Sequence, residues 1–183
     1  MSDWNREDLK LQKKHNWKAT PGCRIFVADK GAVRFDFPQD WVVIPDEDSI
    51  KFYDKQPPDD DCCLAVSYMR LPPGDWDSLP LSSLVEAATT GDTRPIDNFG
   101  PIKEERRGMM TIAWREMRFI DPAQHRDCFS RLALAREGRI QALLTFEYWA
   151  DDALRGRRVW KTVLGNLQLG DWIDDPTRGP VIT

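Results

Sequence analysis

The chain has 183 residues, 41% hydrophobic and 31% charged, with a formal net charge of −4. That length and balance fit one domain burying its own core, not a disordered or fibrous chain. The acidic balance lacks the basic excess that drives free nucleic-acid binders onto phosphate, and no run approaches the ~20 apolar residues of a membrane-spanning helix.

Residues 1–22 are polar and carry Trp4, Leu9, Leu11 and Trp17 without a helical stripe. They are expected to form an arm of one or two helical turns, ending at Pro21-Gly22 and packing on the body through its tryptophans. With acids and no apolar run, this arm is neither a secretory signal nor a transit peptide, so a cytoplasmic location is expected. Residues 25–28 read as a short strand and Asp29-Lys30-Gly31 as a turn. Residues 33–37 alternate apolar and polar side chains as a half-buried strand does, and Pro38 ends them. Further strands are expected at 41–44, at 50–53 and at 62–71, with the Pro-Pro-Asp-Asp-Asp segment between the last two as a loop. Residues 79–90 predict a helix with Ser82 or Ser83 as its cap and Gly91 at its end. After a loop at 92–101, residues 102–107 and 110–120 read as strands meeting near Gly108. Residues 128–136 and 139–149 form the clearest hairpin, about Glu137-Gly138. Over 151–169, Ala153, Trp160, Val163, Leu164 and Leu167 recur at helical spacing, with acids at the start and Gly170 beyond the end. Residues 171–183 are expected to be a loose tail. The order of strands, helix, strands, helix predicts a single α+β domain over 23–170, built on a mainly antiparallel sheet.

Chemistry-bearing motifs are scarce. The two histidines, His15 and His125, have no ligand partner three or four residues away, as a zinc site wants. Cys23, Cys62, Cys63 and Cys128 form no CxxC pair and read as free thiols of a reducing compartment. Asp59-Asp60-Asp61 lacks the spaced ligands and glycine of an EF-hand and reads as a solvated loop. No metal and no other cofactor is expected. GxSxG, GxxxxGK[ST] and GxGxxG are all missing. His125 and Cys128 span a loop-to-strand junction that rarely aligns imidazole and thiol, so Cys128 reads as a buried structural thiol. No catalytic set emerges, and a non-enzyme is expected.

The hairpin offers more. If Arg136 pairs with Arg139, one face carries Phe129, Ala133, Ala135, Ile140, Ala142, Leu144, Phe146 and Tyr148, which is a core face. The other carries Ser130, Leu132, Leu134, Gln141, Leu143, Thr145, Glu147 and Trp149, which is mixed and expected to be partly open. If the 110–120 strand adds Trp114, Glu116 and Arg118 to that mixed face, they line a groove with Glu147 and Trp149, a candidate partner site. A solvated sheet face with cross-strand ion pairs is the competing reading. The last helix carries Arg155, Arg157, Arg158 and Lys161 off its apolar stripe, offering RNA, phosphate or an acidic partner a contact, although such charges ordinarily solvate a helix back.

Two segments together carry a resemblance. Val33-Arg34-Phe35-Asp36-Phe37-Pro38-Gln39-Asp40-Trp41 resembles the opening strand, proline and tryptophan of the PsbP-like fold family. Leu143-Leu144-Thr145-Phe146-Glu147-Tyr148-Trp149, followed by Trp160-Lys161-Thr162-Val163-Leu164-Gly165-Asn166-Leu167, resembles its last strand and final helix. The resemblance covers about residues 25–169. That family includes the PsbP subunit of photosystem II, a Ran-GTPase-binding nuclear-import factor, bacterial lipoproteins and chaperones for type VI secretion effectors. It implies a three-layer sandwich, an antiparallel sheet between helices, and a non-enzymatic role, because members mostly bind proteins. The matching positions are core and turn positions, so no functional residue transfers. The chain departs from the lumenal and lipoprotein members in lacking a transit peptide and a lipidated cysteine motif.

The leading expectation is therefore a protein-binding, assembly or chaperone-type module with a protein partner and no membrane. A small-molecule binder or an enzyme using the groove, with Glu116 and Glu147 as its paired carboxylates, is the alternative. RNA binding through the basic helix is the third and least favoured.

Overall fold

The structure, a computed structural model, describes residues 5–181. In chain order its elements are β1 (Cys23–Ala28), β2 (Val33–Pro38), β3 (Val42–Pro45), β4 (Ile50–Tyr53), β5 (Cys62–Arg70) and α1 (Leu81–Thr90). There follow β6 (Ile96–Phe99), β7 (Lys103–Arg107), β8 (Met110–Ile120), β9 (Asp127–Glu137), β10 (Ile140–Trp149), α2 (Ala153–Asn166) and β11 (Gln168–Leu169). All strand pairings are antiparallel. An eight-stranded sheet runs β3-β4-β5-β10-β9-β8-β6, with β7 also on β8, and a three-stranded sheet runs β1-β2-β11.

The central hairpin sets which side chain faces which layer. Arg136 lies opposite Gln141 rather than Arg139, so Gly138 and Arg139 make the turn. Gly138 takes φ 55, the left-handed conformation that a two-residue hairpin turn asks of its first residue. The pairing therefore slips by two residues from the expected one. Side chains alternate with period two, so every one keeps its expected face. Ala133, Ala135, Ala142, Leu144, Phe146 and Tyr148 are indeed buried together.

That buried face is covered from β3 to β8, except at the end of β8, where Arg118 and Ile120 are exposed. The small sheet supplies Phe35 and Phe37, whose rings sit 5.4 and 4.8 Å from that of Phe52 on β4. Helix α2 supplies Trp160, stacked on Phe146 at 6.0 Å and edge-on to Trp114 at 5.7 Å. Gly156 lets α2 settle onto the sheet, since a Cβ there would lie 2.6 Å from the Tyr148 ring. Burying each of these large side chains contributes roughly 1.5–3 kcal/mol. On the opposite face α1 packs Leu81 and Val85 onto Ala113 of β8 and Leu134 of β9. The three-layer α+β sandwich expected from the sequence is what forms.

Several local expectations give way to tertiary structure. Residues 92–101 contain β6, which pairs with β8 and holds the Phe99 ring 5.0 Å from the Arg115 guanidinium. Helix α1 begins after Pro80 with no side-chain cap, so Ser82 and Ser83 lie inside its first turn. Helix α2 stops at Asn166, short of Leu169. Leu167 turns to ψ 130, and Leu169 then pairs with Val33 of β2 and is buried.

The arm forms no helix among the described residues; Trp4 lies outside them. Its backbone donors go to the tail instead: Gln12 N to Thr177 O at 3.1 Å and Asn16 N to Arg178 O at 2.7 Å. The Trp17 indole donates to Pro176 O at 2.7 Å and stacks under Arg34. The buried Asp36 carboxylate accepts both the amide and the hydroxyl of Thr20 at 2.7 and 2.6 Å. The tail is not loose: Ile173 is buried and its amide donates to Lys30 O at 2.8 Å. Arm and tail thus lie together on the outer side of the small sheet, and Arg6 of the arm reaches the edge of the large one, donating to Val43 O of β3 at 3.1 Å.

Candidate functional site

The sheet separates the five residues expected to share a groove. Trp114 lies opposite Ala133, Glu116 opposite Arg131 and Arg118 opposite Phe129, all on the α2 side. Glu147 lies opposite Ser130 and Trp149 opposite Cys128, on the other side. The strand period of two decides this: β8 residues paired with odd-numbered β9 residues cannot meet odd-numbered β10 residues. Glu116 and Glu147 therefore do not flank a common cleft, and the paired-carboxylate arrangement of a glycoside hydrolase is not formed.

On the α2 side these residues close the core. One Glu116 oxygen accepts Arg131 Nε at 2.6 Å and the Tyr148 hydroxyl at 2.9 Å, with Arg131 Nη2 at 2.5 Å. Arg131 is 6% exposed, and its guanidinium lies 5.0, 5.7 and 5.8 Å from the rings of Trp114, Tyr148 and Trp160. Arg131 was legible in principle, since it falls among the odd-numbered residues of β9 that face the core. Arg118 makes an exposed ion pair with Asp127 at 2.8 Å.

The other side is the mixed face, and only part of it is covered. Helix α1 stands over β8 and β9, and its apolar cluster ends at Leu132 and Leu143. Beyond it, the registers line up Gln141, Leu143, Thr145 and Glu147 of β10 with Met69, Ser67, Ala65 and Cys63 of β5, Ala65 and Cys63 with Lys51 and Tyr53 of β4, and these with Ile44 and Val42 of β3. None of these side chains is buried, and Met69 is 57% exposed. The outcome matches the expectation of a partly open mixed face, with Val42, Ile44, Ala65, Leu143 and Met69 as an apolar floor.

At one end of this open half lies a cavity of about 240 Å³ reached by Asp60, Asp61, Asp121, Glu147 and Trp149. Arg94, from the loop before β6, crosses its rim and binds Asp92, Glu147 and Ser130 Oγ, with its guanidinium 4.7 Å from the Phe119 ring. The hydrogen bonds that Arg94 donates to Asp92, and then the charge of Glu147, keep it firmly protonated. Burial, reinforced by the neighbouring carboxylates Asp54, Asp61 and Asp59, pushes Asp60 up from the usual carboxylate range. Burial pushes the Cys62 and Cys128 thiols up to about 12 and Cys63 up to about 11. At neutral pH these are thiols, not nucleophilic thiolates. Across the molecule, the α2 residues Arg157, Arg158 and Lys161 are exposed and make no ion pair among the described residues. No helix among the described residues is long and apolar enough to cross a membrane.

Comparison with known proteins agrees with this architecture. Protein alr1449 of Nostoc sp. (strain PCC 7120), itself uncharacterised, is 45% identical over 177 residues, covering 96% of this chain and 92% of that one. The solution structure of cyanobacterial PsbP (CyanoP) from Synechocystis sp. PCC 6803 superimposes with a TM-score of 0.58 at 13% identity, over 83% of this chain and 95% of CyanoP. A Bacteroides thetaiotaomicron structure gives 0.56 at 14% identity, over 81% of this chain but only 49% of that one. The Saccharomyces cerevisiae Ran-binding protein Mog1p gives 0.50 at 8% identity, over 80% of this chain and 95% of Mog1p. At such identities the likeness is one of fold, and the fold is PsbP-like. The sequence profile of the Alr1449 family matches residues 24–173, and the chain belongs to that family.

Proposed function

We propose that this protein is a non-catalytic binding or assembly module that docks another protein on the uncovered half of its large sheet. The carrying observation is the asymmetry of the sandwich. One face of the sheet is covered by the small sheet and α2 from β3 to β8, whereas the other has α1 over β8 and β9 with loops at its margins, and leaves Val42, Ile44, Ala65, Leu143 and Met69 half-exposed or exposed among Lys51, Ser67 and Thr145. A contiguous apolar patch rimmed by polar groups is the usual mark of a protein contact. Glu147 and Trp149 border this floor and belong to the proposed surface; Trp114, Glu116 and Arg118 support it from behind. The solved structure of Mog1p is described as Ran-binding, so protein recognition on this fold has a precedent. The four cysteines are unpaired, which favours a cytoplasmic setting for a one-domain module spanning residues 23–170 with its arm and tail.

The test is affinity capture from native lysate with three baits: the wild-type chain, Leu143→Asp, and Arg158→Ser on the far side of the molecule. A stoichiometric partner should be held by the wild type and by Arg158→Ser and lost with Leu143→Asp. A partner retained by Leu143→Asp would sink the proposal, provided that variant keeps the wild-type circular dichroism spectrum.

A further inference from the structure

Resting on that reading of the face, the charges around it point to its occupant. We infer that the uncovered sheet half receives a protein segment whose apolar ridge is flanked by lysines or arginines. On β5 the floor is made by every second residue, Cys63, Ala65, Ser67 and Met69, over about 20 Å. Along β4 both ends of the floor are acidic. Beyond one end of β4 the turn carries Asp46, Glu47 and Asp48, all exposed. Beyond the other end stand Asp59, Asp60 and Asp61, with Asp121 and Glu147 on the adjoining cavity.

The cations beside these two acidic loops are already engaged, and Arg136, beyond the Met69 end of the floor, is buried and donates to Gln141 Oε1 and to the carbonyls of Trp76 and Leu79. Lys51 pairs with Asp46 and Lys55 with Asp61, both at 2.5 Å, and Arg94 serves Asp92 and Glu147. Glu47, Asp48, Asp59, Asp60 and Asp121 make no ion pair among the described residues, so the rims hold unneutralised negative charge. Burial first, and then the same crowding of carboxylates, raises the protonation tendency of Asp60. A basic partner relieves this repulsion, and complementary potentials select partners and speed encounter. Phosphate polymers and anionic lipid surfaces are repelled by the same rims. The cationic back of α2 lies on the opposite side of the sheet, so the molecule is polarised in a way that its net charge of −4 conceals.

The experiment measures fluorescence anisotropy of labelled helical peptides against the full chain. Each peptide has about 14 residues, about 21 Å of helix, matching the floor. One carries a leucine stripe flanked by lysines, the second replaces the lysines with glutamates, and the third replaces the leucines with serines. The first should bind at least tenfold more tightly than either other, and about tenfold more weakly as salt rises from 0.05 to 0.5 M, because exposed charges are then screened. Glu47→Gln/Asp48→Asn/Asp59→Asn should weaken it about tenfold. Glu86→Gln/Asp97→Asn/Glu104→Gln, which removes as much charge from the other half of the molecule, should change it less than twofold. Hydrogen exchange should slow on β3, β4 and β5.

Equal binding of the glutamate peptide, equal loss in the two triple variants, or protection confined to other elements would each overturn the inference. So would self-association, seen by sedimentation, that disappears in Arg157→Ser/Arg158→Ser/Lys161→Ser, because the occupant would then be a second copy presenting its basic helix. The two readings fail separately. A captured partner that depends on Leu143 but ignores the Glu47/Asp48/Asp59 variant refutes the charge inference alone, whereas one indifferent to Leu143 refutes the docking face itself.

Discussion

Replacing Glu116 with leucine strands the Arg131 guanidinium in the core. Arg131 is 6% exposed, and it would lose contacts of 2.5 and 2.6 Å to the carboxylate, while Tyr148 loses the acceptor of its hydroxyl at 2.9 Å. Removing one partner of a fully buried ion pair costs about 3–5 kcal/mol. Two features moderate that here. The Glu116 side chain is 26% exposed, so water reaches part of the site. The rings of Trp114, Tyr148 and Trp160 remain within 6 Å of the cation, and each such contact is worth about 0.5–2 kcal/mol. The expected cost is therefore about 2–3 kcal/mol, below the range for a fully buried pair. At about 2–4 °C per kcal/mol for a chain of this size, Tm should fall by roughly 5–10 °C. Thermal unfolding followed by tryptophan fluorescence reads the site directly, because Trp114 and Trp160 line it. The double variant Glu116→Leu/Arg131→Met removes both charges and should recover most of the loss. A single variant melting within about 2 °C of wild type, or a double variant no more stable than the single, would refute the account of this cluster as a mutually dependent buried pair.

Three further outcomes are expected. Asp36→Ala removes the acceptor of two hydrogen bonds from Thr20 and should release the arm, costing about 1–3 kcal/mol and exposing the segment before residue 20 to limited proteolysis, read by mass spectrometry. Asp54 is pushed up by burial, but the amides of Asp61 and Cys62 and the Arg155 guanidinium outweigh this and hold its carboxyl below the usual range. Its folded value being depressed, the stability it contributes is present above the unfolded carboxylate value of about 4 and is lost as pH falls through the folded value; Asp54→Asn should lower stability at neutral pH and flatten the acid limb of a denaturation series. Cys62, Cys63 and Cys128, raised to about 12, about 11 and about 12, should resist alkylation by iodoacetamide at pH 8 in the native protein and react at once in denaturant.

Much of the fold was legible because its signals are local. The alternation of residues 33–37, the turn glycine at 138 and the helical spacing of Trp160, Val163, Leu164 and Leu167 each report a period that a neighbouring segment does not alter. Strand β6 and strand β11 left no such trace. Residues 96–99 form a strand because β8 offers them an edge, and Gln168–Leu169 leave the helix because β2 has a free side where Leu169 can be buried. Likewise, an arm rich in polar residues gave no sign that its amide donors would be taken by the tail, more than 160 residues away in sequence.

The same division runs through the site. Two things could be read from the residues alone: which side chains of the β9–β10 hairpin share a face, and that Leu132, Leu143, Thr145 and Glu147 make a mixed one. Both follow from the period of two, and both survived a two-residue slip in pairing. Only the tertiary structure decided that Trp114 and Glu116 join the opposite face, because the phase of one strand against another depends on pairing rather than on either strand's own pattern. It alone decided that α1 stops over β9, leaving an apolar floor between two acidic loops that lie 10 residues and more apart in the chain. A helix covers only what its packing reaches, and that reach is written in the contacts between elements, not in the residues of any one of them.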